Sequence, residues 1–440
     1  MYLLDPGAGQ GALCRAFFSR WKESSLSFQD GRLDAFDIDP DMLSSARKIL
    51  ETDKDAIPLS LNFIQGDFIE QAVIKILNHE RPYSHAILNP PYRKINSSSR
   101  HRKLLRDVGI ETVNLYSAFV ALSVAMLAKG GQIVAIVPRS FCNGPYYRPF
   151  RQFILSHTSI LHIHLFESRN KAFEDDGILQ ENVILALERD AQQGDVVVST
   201  STDGDMLDYT ATSHCFSAIV NPGDPESFFR IPANGGAPQA HSNDICHTLS
   251  DIGIEVSTGP VVDFRMKDYL HRTPEGNDAP LLYPAHFRGH GEWPIAGFKR
   301  FNAIRCCPET VKLLYPNGYY VVVRRMSSKE EKRRIVASVV DPSRFHELHW
   351  LGFDNHLNVF HSRKRWLPGN VAHGLATFLN SSFIDSIVRR FNGHTQVNAT
   401  DLRALRYPPR ITLARLGLLT REQDVITQDK IDRFMEMYLE

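Results

Sequence analysis

Asp5-Pro6-Gly7-Ala8-Gly9-Gln10-Gly11 (DPGAGQG) follows the short apolar run Tyr2-Leu3-Leu4 and precedes a helical pattern with Leu13, Ala16 and Phe17. A strand-like start, a turn with three glycines and a helix is how a βαβ unit opens. Gly7, Gly9 and Gly11 let backbone approach a ligand where any Cβ would obstruct it. A tight strand-to-helix turn with no ligand needs the same residues, so the turn alone does not decide between the two.

The pattern repeats downstream. Leu33-Asp34-Ala35-Phe36 ends in Asp37-Ile38-Asp39-Pro40, followed by a helix expected from about Asp41 to Leu50. Leu61-Asn62-Phe63-Ile64 ends in Gly66-Asp67-Phe68, and His85-Ala86-Ile87-Leu88 ends in Asn89-Pro90-Pro91-Tyr92-Arg93. Leu115, Phe119, Leu122 and Met126 keep a 3.6-residue period, Gly130-Gly131 is expected to stop that helix, and Gln132 to Val137 reads as a buried strand. These alternations predict an α/β domain built on a parallel sheet, whose ligands bind at the carboxyl ends of the strands. There Asp37 is suited to accept both hydroxyls of a ribose; its alternative role is a helix cap, which Asp39 before Pro40 fills better. Asp67 could accept from an adenine amino group and Phe68 could cover its face. The alternative for that pair is a loop acid beside a core aromatic.

Two consecutive prolines cannot lie inside a regular strand or helix, because each fixes φ and removes a donor. The stiff turn after Leu88 therefore holds Asn89 and Tyr92 in fixed positions beside whatever the glycines bind. An exocyclic amine on a base carries two donors, and the Asn89 side-chain oxygen with the Pro90 carbonyl could accept both, leaving the nitrogen pyramidal and more nucleophilic. Tyr92 could stack on the base. A Pro-Pro loop in which Asn89 only caps a turn is the alternative.

The whole composition sets bounds. A chain of 440 residues that is 43% hydrophobic suggests two or three soluble domains. Lys plus Arg and Asp plus Glu number 50 each, so any nucleic-acid surface must be a local patch. Cys14, Cys142, Cys215, Cys246, Cys306 and Cys307 form no CxxC pair, which fits a reducing cytoplasm and neither a zinc site nor a disulfide framework. No apolar run is long enough for a membrane span and no signal peptide is evident, so a cytoplasmic location without membrane partners is expected.

After about residue 190 the sequence turns rich in Gly, Ser, Thr, Asp, Asn and Pro, and 191–245 reads as a connector with a few strands. A second domain is expected over 246–440, with paired strands at Tyr319–Arg325 and Arg334–Val340 and a helix carrying Ile384, Ile387, Val388 and Phe391. Basic groups cluster there at Arg324-Arg325, Lys329 with Lys332-Arg333-Arg334, Arg363-Lys364-Arg365 and Arg389-Arg390. With Trp350, Asn355, His356 and Asn358 they make a candidate groove-reading surface, although a charge run is often only a solvated face. The histidine spacing there suits no metal.

Taken together, Asp5-Pro6-Gly7-Ala8-Gly9-Gln10-Gly11, Asp37-Ile38-Asp39-Pro40, Gly66-Asp67-Phe68, Asn89-Pro90-Pro91-Tyr92, Asn114-Leu115-Tyr116-Ser117-Ala118-Phe119 and Gly130-Gly131 to Val137-Pro138 occur in an order and spacing that resembles the gamma group of N6-adenine DNA methyltransferases of bacterial restriction–modification systems. The resemblance covers residues 1 to about 190, and Gly393 to Leu402 before Leu405-Arg406-Tyr407-Pro408 resembles the end of target-recognition domains in that group. It implies a Rossmann-like S-adenosylmethionine-dependent methyltransferase domain over 1–190, joined to a C-terminal α+β target-recognition domain. In this picture the cofactor lies over Asp5, Pro6, Gly7, Gly9 and Gly11, with Asp37 and Ile38 at its ribose, Asp67 and Phe68 at its adenine and Asn89 alongside. Asn89, Pro90, Pro91 and Tyr92 take the target adenine, and Phe173, before Glu181-Asn182-Val183-Ile184, is placed like a second stacking aromatic; a core Phe is its alternative.

The implied activity is methyl transfer from S-adenosylmethionine to a flipped adenine in double-stranded DNA. The implied partners are that DNA and, genetically, a cognate restriction endonuclease, with the enzyme a monomer. Two alternatives stay open: a catalytically impaired DNA-binding or specificity subunit, and a related methyltransferase acting on RNA or protein glutamine. Family members carry a segment before the glycine motif, whereas four residues precede Asp5 here; the expectation is that the chain as written binds S-adenosylmethionine weakly.

Overall fold

A computed structural model describes residues 1–23, 30–53, 59–166, 181–232, 245–287, 292–327, 331–393, 395–421 and 426–439. The chain divides into two compact units, Met1–Asn234 and Gly235–Glu440.

Among the described residues the first unit is built on a nine-stranded sheet. Its strands are β1 (Tyr2–Asp5), β2 (Gly31–Asp37), β3 (Leu59–Gln65), β4 (Tyr83–Leu88), β5 (Leu127–Pro138), β6 (Thr158–Phe166), β7 (Asn182–Arg189), β8 (Val196–Ser201) and β9 (Thr210–His214). They lie in the order β3-β2-β1-β4-β5-β7-β6-β8-β9. Strands β1 to β5 pair in parallel, as βαβ units require, whereas β7 runs antiparallel to both β5 and β6. The strand order reverses between β1 and β4, and a crevice opens at such a reversal outside the carboxyl ends of the strands.

Alternation along the strands explains the layers. Leu3, Leu33 and Ala35 face one core with Cys14, Phe18 and Trp21 of α1 (Ala12–Glu23) and Leu50 of α2 (Pro40–Asp53). Leu4, Phe36, Ala86 and Leu88 face the other, against α3 (Phe68–Leu77), α5 (Leu115–Met126) and α6 (Arg148–His157). The helix α4 (Arg100–Asp107) follows the proline turn and packs beside α3.

Two details depart from the sequence expectation. The helix α5 ends at Met126, and Gly130-Gly131 lie inside β5 rather than before it, where the pairing shifts between Tyr83 and His85. Gly130 has φ 75°, and a Cβ on Gly131 would stand 2.9 Å from the Ala128 carbonyl, so the glycines shape a bulge. The stretch expected to be a connector from 191 contributes β8 and β9 to the sheet and buries Ile219, Val220, Phe229 and Ile231 in its core, so the first unit continues well past 190.

The second unit is α+β. Glu255–Thr258, Leu357–His361, Tyr320–Arg324 and Ala337–Val340 form an antiparallel sheet in that order, with Tyr320 opposite Val340 and Val323 opposite Ala337. The expected strand pair and the expected helix (Ser382–Phe391) are both there. Among the described residues no helix is long and apolar enough to cross a membrane.

Candidate active site

The glycine turn leaves β1 and the proline turn leaves β4, so the two meet at the reversal of strand order. Gly9 and Gly11 have φ of 52° and 85°, conformations that a side chain would strain. The space around the Gly9 Cα is open, whereas a Cβ on Gly11 would press on Leu50 and Ala46. Gly9 thus leaves the turn open to approach, and Gly11 allows close helix packing. Asp5 is wholly buried: its carboxylate accepts the Gly7 N–H at 3.3 Å and the Cys14 thiol at 3.1 Å, bracing the turn from beneath. Burial pushes its carboxyl up to about 6, against the hydrogen bonds that favour the charged form. Pro6 is buried above it and Gly7 approaches Phe119, whose ring would lie 3.8 Å from a Cβ there.

Asp37 accepts the Gly9 N–H at 2.8 Å through one oxygen and the Asp39 N–H at 2.9 Å through the other. Each carboxylate oxygen keeps a lone pair, so acceptor capacity remains there. Asp39 accepts from the N–H groups of Asp41 and Met42, capping α2 as its place before Pro40 suggests. Ile38, 69% exposed beside Asp37, offers an apolar surface on the same rim.

Asp67 caps α3 by accepting the Glu70 N–H at 3.1 Å, and its second oxygen meets His101 Nε2 at 2.7 Å. Phe68 is only 3% exposed, edge-on to Phe36 at 5.4 Å and tilted against Phe119 at 4.9 Å. Its ring therefore belongs mainly to the core, with little face to offer a ligand.

At the proline turn Asn89 and Pro91 are exposed and Pro90 is buried. The Tyr92 hydroxyl donates toward the Asn89 side-chain oxygen at 3.0 Å and the Ile136 carbonyl at 3.2 Å. Its ring stands edge-on to Tyr116, 6.1 Å away, and Tyr116 packs on Tyr147 and Phe150. The chain after Tyr92 is pinned to the start of α5 by hydrogen bonds from Leu115 N–H to the Arg93 carbonyl and from Ile95 N–H to the Val113 carbonyl. Phe173 lies outside the described residues. Sequence reasoning missed His101 and Phe119; Phe119 was visible as a member of a helical stripe, and His101 carried no signal at all.

In the second unit many of the clustered cations are structural. Arg334 is buried and bonds the Ser327 carbonyl and Asn392, Arg389 holds Asp385 and the Glu331 carbonyl, and Arg325 bonds Asn355 and Asn398. Asn358, expected on a groove surface, is fully buried and donates to the Val397 carbonyl. A charge run read along the sequence cannot separate such internal arginines from solvent-facing ones.

The glycine turn after β1 and the Asn89-Pro90-Pro91-Tyr92 turn after β4 lie side by side at the strand reversal, and comparisons with known proteins give the family. Residues 32–173 match the family model of the Eco57I restriction-modification methylase. The chain is 48% identical to the Type II methyltransferase M.BsuBI of Bacillus subtilis over 99% of its length, and 41% identical to the Type II methyltransferase M.PstI of Providencia stuartii over all of it; it spans 88% of each. Among solved structures, the Type IIL restriction-modification enzyme MmeI in complex with DNA shares the fold (TM-score 0.52, 12% identity, covering 92% of this chain and 61% of that one). The chain belongs to the Type II methyltransferases of restriction–modification systems.

Proposed function

We propose that the protein methylates the N6 amine of an adenine extruded from double-stranded DNA, with S-adenosylmethionine as donor. The observation that carries this reading is the juxtaposition at the strand reversal of the glycine turn after β1 and the Asn89-Pro90-Pro91-Tyr92 turn after β4. The residues present fit the donor: Gly9 has an open approach, Asp37 retains acceptor capacity for a ribose, and Ile38 gives an apolar rim. Asp67 is the acceptor for the adenine amino group on the donor. S-adenosylmethionine, when bound, supplies an electrophilic methyl group.

The chain's own contribution is positioning. Asn89 Oδ1 and the Pro90 carbonyl accept the two N–H groups of the target amine, which withdraws its lone pair from the ring and aims it at the crevice. Tyr92 stacks on the extruded base, and stacking of this kind is worth roughly 1–3 kcal/mol. No strong general base is required, so the rate gain comes from orientation in a site closed to water. Incubating the protein with methyl-tritiated S-adenosylmethionine and unmodified duplex DNA, then hydrolysing the DNA for nucleoside analysis, tests the reading. Label in N6-methyl-2′-deoxyadenosine is expected; label in a methylated deoxycytidine, or none in DNA, would overturn it.

A further inference from the structure

The second unit holds a cavity of about 940 Å³ that the methyl-transfer site does not use, lined among others by Tyr283, Phe298, Arg300, Arg324, Met326 and His356. Lys299 also lines it, and its other cationic groups and its histidine are backed by acids. Arg300 Nη1 donates to Asp263 at 3.3 Å, Arg324 pairs with Glu331, and His356 Nδ1 meets the buried Asp354 at 2.5 Å. A phosphate site gains from uncompensated positive charge, whereas most of the charge here is compensated by Asp263, Glu331 and Asp354. What it presents are oriented N–H groups between apolar walls, the composition that reads a base edge.

Arg300 is the best placed of these groups. It is 48% exposed on its side chain, and its guanidinium lies over the Tyr283 ring, 5.6 Å from the centroid. The Tyr283 hydroxyl donates to the other Asp263 oxygen at 2.8 Å, so ring, acid and guanidinium brace one another. Tyr283 is itself fixed by burial and by Phe298 at 5.5 Å. With Nη1 spent on Asp263, the remaining N–H groups form a held fork, and a fork fits two adjacent acceptors. Guanine shows such a pair, O6 and N7, on its major-groove edge.

We infer that Arg300, braced by Tyr283 and Asp263, is a specificity-determining residue that reads a guanine in the DNA target. This inference rests on the DNA methyltransferase reading above and adds a recognition role to it. The test uses the full chain and plasmid DNA from cells that express it, with methylated positions mapped by single-molecule sequencing. The wild-type motif must contain a G·C pair. Arg300→Lys keeps the charge but loses the fork, so discrimination at one G·C position should fall on the order of ten- to a hundredfold, with new methylation at sequences altered there. In vitro, duplex carrying 7-deazaguanine, which lacks the N7 acceptor, should slow the wild-type protein and leave Arg300→Lys little changed. An unaltered motif with rates within about twofold, or a wild-type protein indifferent to 7-deazaguanine, would overturn the inference. A wild-type protein that methylates no DNA would instead overturn the underlying reading, and melting curves with S-adenosylmethionine binding verify that the variant is folded.

Discussion

The Tyr92 hydroxyl lies 3.0 Å from the Asn89 side-chain oxygen, so the two polar ends of the Asn-Pro-Pro-Tyr turn are tied across its prolines. That oxygen has two lone pairs, of which the proposed mechanism gives the second to the target amine, while the tie fixes which way the amide points. Tyr92→Phe should therefore keep base stacking but lower the transfer rate by about three- to tenfold, the worth of one neutral hydrogen bond. Tyr92→Ala should in addition lose the fluorescence gain seen when 2-aminopurine replaces the target adenine. Equal rates for Tyr92→Phe and the wild type would show that the hydroxyl does not orient the amide.

Asn89→Ala removes the acceptor itself. On the proposed reading Asn89 acts chiefly in the transition state, so affinity for cofactor and DNA should hold while turnover falls on the order of a hundredfold or more. Single-turnover methyl transfer, with separate binding titrations, measures the split; substantial turnover by the variant would remove Asn89 from the mechanism.

Much of this site is legible in the sequence because its signals are local. Glycines at 7, 9 and 11, an acid at the end of β2 and prolines after β4 each force a turn at a strand end, and alternating apolar residues place those ends on one side. What is not legible depends on distant pairing. Nothing near His101 announces that it meets Asp67, 34 positions away, and nothing near Arg334 shows that it is buried against Asn392. The antiparallel β7 between β5 and β6 likewise follows from tertiary packing, not from any local period.

His101 and Asp67 lead to a third prediction. Asp67 is held between the Glu70 N–H and His101, while the neighbouring Arg100 pairs with Glu70 at 3.0 Å, so α4 steadies the acid proposed to receive the cofactor's amino group. His101→Ala should raise the dissociation constant for S-adenosylmethionine by about three- to tenfold with little change in the saturated rate. His101→Gln, which can still donate, should recover most of the loss. Calorimetry beside steady-state rates distinguishes this from a general loss of stability, in which affinity and saturated rate would both fall.

Asp5 makes stability depend on pH. Its folded carboxyl is raised to about 6 from an ordinary 3.8, so the native state holds the proton more tightly than the unfolded chain. The stabilisation it contributes is complete below about pH 4 and is lost as pH rises through about 6. At pH 8 the buried charge costs roughly 3 kcal/mol relative to a protonated group. Asp5→Asn, neutral at every pH, should therefore melt higher than the wild type at pH 8, with the gap closing toward pH 4. A gap that widens on acidification would reverse the sign and assign Asp5 an ionised, stabilising role.

The last prediction concerns the second unit's helix pair, Gly369–Leu379 and Arg410–Thr420, which cross at two glycines. A Cβ on Gly374 would lie 1.8 Å from the Leu413 carbonyl oxygen, and one on Gly417 would lie 1.7 Å from that of Asn370. Those are backbone atoms, so no rotamer change relieves the overlap and the helices must separate. Alanine is the better helix former by about 1 kcal/mol, but separation opens the contacts around the buried Leu375, Leu413 and Leu416. Each of Gly374→Ala and Gly417→Ala should lower stability by about 1–3 kcal/mol net. Three of the four tryptophans, Trp293, Trp350 and Trp366, belong to this unit, so a urea titration followed by tryptophan fluorescence reports mainly on it. One separation relieves both clashes, so the double variant should lose less than the sum of the single losses. Unchanged midpoints, or strictly additive losses, would mean that the two glycines do not share one close crossing.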